Sequence, residues 1–231
     1  MSVFAIGDIH GECARLEVLL ATLSRGPEDT TVFLGDYIDR GPDSAGVVRR
    51  VLQEYDAAPD RTVLLWGNHE DMAAAHFGFA APSGFDYDPY DWFRNGGFAA
   101  LASFGYPTPR EALAALCPPE LERLFPLLRL FWRGPDGTIY VHAGVPPGRP
   151  PETTPASILL WTRDPDNDRT GRLVVHGHTP QQNGLPEVHA NRINLDTGAV
   201  FGGPLSAIQF PEWQLSLAHA NGNVTTHRIA L

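Results

Sequence analysis

The chain has 231 residues, 43% of them apolar, enough to bury the core of one domain spanning 1–231, and no linker, repeat or low-complexity tract divides it. All 17 basic residues are arginine, so a P-loop kinase, a pyridoxal-phosphate enzyme or a Schiff-base aldolase has no lysine to work with. A net charge of −10 argues against a nucleic-acid partner held through phosphate contacts, and no apolar run approaches the ~20 residues of a membrane span.

In chain order, a first apolar run, VFAI, is followed by Gly7-Asp8-Ile9-His10-Gly11, and a helical pattern covers 14–23. TVFL then leads into Gly35-Asp36-Tyr37-Ile38-Asp39-Arg40-Gly41, with a second helical pattern over 44–55. TVLLW leads into Gly67-Asn68-His69-Glu70 and a helix over 70–77. From 78 to 135 the strand pattern stops, and a partly helical, cap-like insertion rich in aromatics, Gly and Pro is expected, with helix-like ALAAL and LERLFPLL segments. Strands return with TIYV before His142-Ala143-Gly144 and LVVH before Gly177-His178-Thr179. The tail from Val188 reads as hairpins, with turns at Gly202-Gly203-Pro204 and Asn221-Gly222-Asn223. Cys13 and Cys117 imply no disulfide framework and a reducing, cytoplasmic setting. The first strand begins at Val3, which leaves no room for a leader peptide.

Short Val/Ile/Leu/Phe runs separated by helical patterns are the mark of an α/β fold with a parallel or mixed sheet. In such sheets ligands bind beyond the carboxyl ends of the strands. Five strand ends here deliver Asp, Asn or His beside glycines that let the chain turn sharply. A lone Asp after a strand is more often a helix cap, and a lone His is usually an ordinary core or surface residue. Five in series aim Asp8, His10, Asp36, Asn68, His142 and His178 at a common point. Two carboxylates, three imidazoles and an amide, with no thiolate, suit Mn²⁺, Fe or Zn²⁺. Six ligands are too many for one open catalytic ion and about right for two divalent ions, manganese being the first choice. A pair roughly 3.5–4 Å apart can share a carboxylate and a water, and lowers the water's pKa from about 15.7 toward 7. A hydroxide nucleophile at neutral pH is the expected product.

These motifs, in this order, resemble the PPP-type serine/threonine phosphatases within the calcineurin-like metallophosphoesterase superfamily, above all its short bacterial and phage members. The likeness runs from Val3 to about Phe210 and includes Trp92-Phe93-Arg94-Asn95-Gly96-Gly97, Leu160-Trp161-Thr162-Arg163 and Asn194-Leu195-Asp196-Thr197-Gly198-Ala199. It implies a four-layer α-β-β-α sandwich around a central pair of mixed β-sheets. It also implies that Asp8 and His10 hold the first metal, that Asp36 bridges, and that Asn68, His142 and His178 complete the second. His178 is preferred to His176 because the family's ligand stands between the Gly and the Thr. Arg40 and Arg163 would fork onto phosphate oxygens, with Asn68 also facing the substrate. His69 would be the general acid for the leaving alkoxide, and Asp39 would hold its charged form and raise its pKa. The plainer reading of Asp39 and Arg40 is a loop salt bridge.

The expected activity is metal-dependent hydrolysis of phosphomonoesters in phosphoserine or phosphothreonine proteins, by attack of a metal-bridging hydroxide on phosphorus. A second reading is a symmetric dinucleoside polyphosphate hydrolase, for which the chain looks short and whose second motif usually departs from Asp-Arg-Gly. A third is a non-catalytic phosphate-binding scaffold. The expected partners are a phosphorylated protein or a small phosphoester, with neither nucleic acid nor membrane. Tyr87, Tyr90, Trp92 and Phe93 either form the core of the cap or rim the metal cleft, and sequence leaves both open.

Overall fold

The protein is described from a computed structural model over residues 1–163 and 171–229. Three parallel strands, β1 (Val3–Ile6), β2 (Thr30–Phe33) and β3 (Thr62–Leu64), begin the first sheet. The second sheet is built from β4 (Phe131–Arg133), β5 (Ile139–Val141), β6 (Val174–His176), β7 (Glu187–Val188) and β8 (Arg192–Asn194), in the order β4-β5-β6-β8-β7. The chain then returns to the first sheet, where β9 (Leu205–Phe210), β10 (Gln214–Ala218) and β11 (Val224–Arg228) run antiparallel and give the order β11-β10-β9-β1-β2-β3. Both sheets are therefore mixed.

Residue parity explains the layers. In β1 and β2, Ile6 and Phe33 face the helices α1 (Cys13–Thr22) and α2 (Ser44–Ala57), while Val3, Ala5 and Val32 face the second sheet. Both faces are buried, so the strands read as continuous apolar runs rather than as alternation. Tyr140, Val175 and Ile193 answer from the second sheet. Beyond that sheet, Leu159 of α7 (Ala156–Trp161) packs on Ile139, Val141 and Val174. The succession is helix, sheet, sheet, helix. Among the described residues no helix is long and apolar enough to cross a membrane.

Helix α3 (Asn68–His76) starts two residues before the expected position, because Gly67 caps it and the Glu70 carboxylate reaches back to the Gly67 N–H. Asn68 and His69 thus sit in its first turn. In the 78–135 stretch the structure has α4 (Phe98–Ser103), α5 (Pro109–Leu113) and α6 (Pro119–Leu124). The ALAAL helix ends earlier than its pattern suggests, at Leu113, ahead of Cys117-Pro118-Pro119. Pro126 turns the end of LERLFPLL into a single 3₁₀ turn, Phe125–Leu127. One strand is added that the sequence did not signal. β4 pairs only with β5, is half-exposed and three residues long, so it carries no readable alternation.

Candidate active site

The strand ends converge on one edge. Asp8 and His10 follow β1; Asp36, Asp39 and Arg40 follow β2; Asn68 and His69 open α3 directly after β3. From the second sheet His142 follows β5, His178 lies two residues past β6, and Arg163 lies two past α7. A cleft of about 230 Å³ here is lined by His10, Asp36, Asn68, His69 and His178, with Arg40 and Arg163 at its mouth. Asp8, Asp39 and His142 are buried beside it.

The backbone is bent to achieve this. His10 (φ 46°), Asp36 (51°), Asp39 (78°), Arg40 (66°) and His178 (69°) all lie in the left-handed region, which costs roughly 1–3 kcal/mol for a non-glycine residue. Trp213 is the one other such residue among those described. The flanking glycines permit contacts that a Cβ would block: one on Gly177 would lie 1.9 Å from Asp8 Oδ1, and one on Gly67 would lie 2.2 Å from Asp36 Oδ1.

The donor set fits two cations. His142 Nδ1–H donates to the Leu34 carbonyl at 2.9 Å, which leaves Nε2 to face the site. Nε2 faces two oxygens, Asn68 Oδ1 at 2.9 Å and Asp36 Oδ1 at 3.4 Å, a convergence that a cation among them, or a proton on Nε2, would satisfy. His178 Nδ1 lies 2.9 Å from Asn68 Oδ1, to which it donates while Nε2 accepts from Arg163. On the other side His10 Nδ1–H donates to the Ile38 carbonyl at 2.8 Å and presents Nε2 to Asp36 Oδ2 at 3.2 Å. Asp8 accepts the His178 N–H through Oδ2, and its Oδ1 is buried with no partner. Two groups of mutually close ligand atoms result, His10/Asp36/His69 and Asp36/His142/His178. Asp36 is common to both and offers one oxygen to each side.

Electrostatics divide the carboxylates. Burial alone would raise Asp36, but His142, His69 and His10 overcome it and hold Asp36 well below the usual range. Asp8 is pushed up by burial and then by the charges of Asp196 and Asp36. Burial lowers the imidazoles, His178 to about 3 with His142 adding to it, and His176 to about 4. His176 lies outside both groups; its Nδ1 is 3.0 Å from the Gly177 carbonyl.

His69 Nδ1 is 2.6 Å from Asp39 Oδ2, and the Trp92 indole N–H donates to both Asp39 oxygens at 2.9 and 3.0 Å. Asp39 is fully buried and raised well above its ordinary value, first by desolvation and then by Glu70. His69 is lowered, because burial outweighs the attraction of Asp36. Asp39 holds the ring's orientation, and the burial of the ring opposes the rise in pKa expected of that carboxylate. Arg40 bonds His10 Nε2 at 2.6 Å and lies 5.7 Å over the Phe201 ring, rather than forming a salt bridge with Asp39. Arg163 Nε donates to His178 Nε2 at 3.3 Å.

Two contributors, Glu70 and Asp196, have no role in the sequence reading, and a third, Trp92, is left there as either cap core or cleft rim. Glu70 accepts from the N–H groups of Asp36, Gly67, Tyr37 and Ile38, so one buried carboxylate holds the whole second motif loop. Burial and Asp36 push it up to about 8 against the pull of those donors. Its signal was the capping-box spacing from Gly67. Asp196 lines the cleft and accepts the Gly198 N–H at 3.0 Å. Trp92 is core and site at once, 1% exposed and bonded to Asp39 from 53 residues away, a link no local pattern announces. Of the other aromatics, Phe93 is buried, Tyr87 is tied to Asp71, and Tyr90 is half-exposed. His76, His189, His219 and His227 lie outside both ligand groups.

Comparison with known proteins agrees with this geometry. The chain is 32% identical to serine/threonine-protein phosphatase 1 of Salmonella typhimurium, over 88% of this chain and 89% of that one. It is 28% identical to the asymmetrical bis(5'-nucleosyl)-tetraphosphatase PrpE of Oceanobacillus iheyensis, over 92% and 90%. It is 30% identical to a symmetrical bis(5'-nucleosyl)-tetraphosphatase of Acidovorax sp., over 91% and 92%. With 92% of the symmetrical enzyme covered, length does not set the two apart. In fold it is similar to a cold-active protein-tyrosine phosphatase of a psychrophilic Shewanella, with a TM-score of 0.64 at 19% identity, covering 97% of this chain and 80% of that one. The calcineurin-like phosphoesterase profile matches residues 1–203, and the chain belongs to that family of metal-dependent phosphoester hydrolases.

Proposed function

We propose that the chain is a phosphoserine/phosphothreonine phosphatase in which His69 protonates the departing oxygen. The observation that carries this is the buried Trp92–Asp39–His69 relay, with its 2.6 Å contact at His69 Nδ1. Asp39 occupies Nδ1, so Nε2 is the nitrogen turned toward a substrate. An alkoxide needs such a proton in the transition state, whereas an acidic leaving group departs with little help. Two divalent ions held by Asp8, His10, Asp36, Asn68, His142 and His178 would supply Lewis acidity and lower the pKa of water at the site. Arg40 and Arg163, which line the cleft, would fork onto phosphate oxygens. The second reading is hydrolysis of dinucleoside tetraphosphates, favoured by the names of two of the relatives above.

The test compares His69→Asn with wild type on a phosphoserine peptide and on p-nitrophenyl phosphate. Loss of a general acid costs about 10²–10⁴ in kcat, and the peptide rate should carry most of that loss. Equal losses on both substrates would remove His69 from the leaving-group step.

A further inference from the structure

Phe201 is the largest apolar side chain left open at the active site. It is 65% exposed, shares the wall of the cleft with Pro180, and with Pro180 also lines an adjoining cavity of about 250 Å³. An exposed aromatic ring on a loose loop would be unremarked, but this loop is braced from several directions. Gly198 and Gly202 bracket it at φ 67° and 99°, the Arg15 guanidinium bonds the carbonyls of Ala199 and Gly203, and Thr197 Oγ1 donates to the Pro204 carbonyl at 2.7 Å. The Gly203 N–H closes the turn on the Gly198 carbonyl, and a Cβ on Gly203 would lie 1.9 Å from the Thr197 carbonyl oxygen. A flat apolar face is thus held rigid beside Arg40, one of the two guanidinium groups assigned to the phosphate.

The rest of the cavity is more apolar than polar, and the described side chains that line it are uncharged. Gln181 and Gln182 contribute amides, while the Thr197 hydroxyl and the backbone groups of Gly198 and Gly203 are taken up in bracing the loop. Among the described residues no carboxylate or guanidinium lines it. A peptide segment carrying basic side chains would find no counter-charge among these residues. A planar heterocycle with donors and acceptors at its edge matches an aromatic wall with amide rims, and the arginine at the adjoining phosphate site complements its anionic end. We infer that Phe201 and the adjoining cavity form a nucleobase platform, so that the substrates of this site include nucleoside polyphosphates whose base stacks on Phe201 while the scissile phosphate lies at Arg40 and Arg163. The inference rests on the second reading given above, since a phosphopeptide has no base to place there.

Binding of AMP and of inorganic phosphate to the protein, by calorimetry, should favour AMP, and Phe201→Ala should remove most of that preference. A base–aromatic stack is worth roughly a 5- to 100-fold change in affinity. In turnover with Mn²⁺, Phe201→Ala should lose at least about fivefold more kcat/KM on diadenosine tetraphosphate than on a phosphoserine peptide, and Phe201→Trp should recover it. If wild type binds AMP no more tightly than phosphate, or if both substrates suffer equally in Phe201→Ala, the platform is refuted while the phosphatase reading stands. Failure of wild type on both substrates would instead overturn the hydrolase reading itself.

Discussion

At the residue scale the tightest constraint is one carboxylate. Glu70 Oε2 accepts from Asp36 and Gly67, and Oε1 accepts from Tyr37 and Ile38, so both oxygens are used in full. Glutamine is nearly the same size but replaces one acceptor with an NH₂ group, which would meet two N–H donors. Each buried donor left without an acceptor costs about 1–3 kcal/mol. Glu70→Gln is therefore expected to lose about 2–4 kcal/mol in urea unfolding measured above the Glu70 pKa of about 8, where the carboxyl is ionised, with the loop carrying Asp36 disordered. A change below about 0.5 kcal/mol, the size of an ordinary surface substitution, would mean that the carboxyl is protonated and one oxygen makes no bond. The example also marks a limit of sequence reading. Glu70 lies inside a recognised motif, yet its task depends on a loop 32–34 residues away. The six metal-ligand candidates were legible because each stands directly after an apolar run and needs no such long-range knowledge.

At the element scale the 78–135 stretch is joined to the site by a staple. Asp71, buried in α3, accepts from the Ser83 N–H and hydroxyl and from the Tyr87 hydroxyl. Tyr87 in turn lies 6.3 Å from Trp161, whose ring is 6.1 Å from His178. A hydrogen bond to a charged group contributes about 1.5–3 kcal/mol. Tyr87→Phe should lose about that much locally, seen as faster amide exchange over 78–92 with β1, β2 and β3 unaffected. Uniformly faster exchange would show that the stretch unfolds only with the whole molecule. Sequence separated core from rim poorly here, because Trp92 is buried by its ring and polar by its N–H, and composition reports only the ring. Strands β1, β2, β3, β5 and β6 were readable since burial on both faces makes them uniformly apolar. β4 and the two-residue β7 are too short to show any period.

At the scale of the whole molecule, charge on the surface sets an acid limit. Burial would raise Glu54, but Arg25 and Arg50 bond it and hold it below its ordinary value of about 4.5. A carboxylate with a lowered folded-state pKa adds stability above the unfolded pKa, and that stability is lost as pH falls through the folded one. Glu54→Gln should cost about 1 kcal/mol at pH 7 and nothing once both forms are protonated, well below pH 4.5. A deficit that persists unchanged into that range would assign the effect to packing rather than charge. The two sheets meet through apolar side chains such as Val32 and Val175, and the polar loops after their strands meet at the site. Asp8, His10, Asp36 and Asn68 come from one sheet, and His142 and His178 from the other. An ion bound among them is a cross-link that exists only in the native chain, so apparent stability becomes a function of free metal. Ligand at 100 times its dissociation constant adds about 2.7 kcal/mol, so the wild-type melting temperature should climb with Mn²⁺ and fall with chelator, and Asp36→Asn should flatten the curve. A variant that climbs as steeply as wild type would mean that Asp36 does not join the two halves. If it does, a chelator acts on this protein as a mild denaturant.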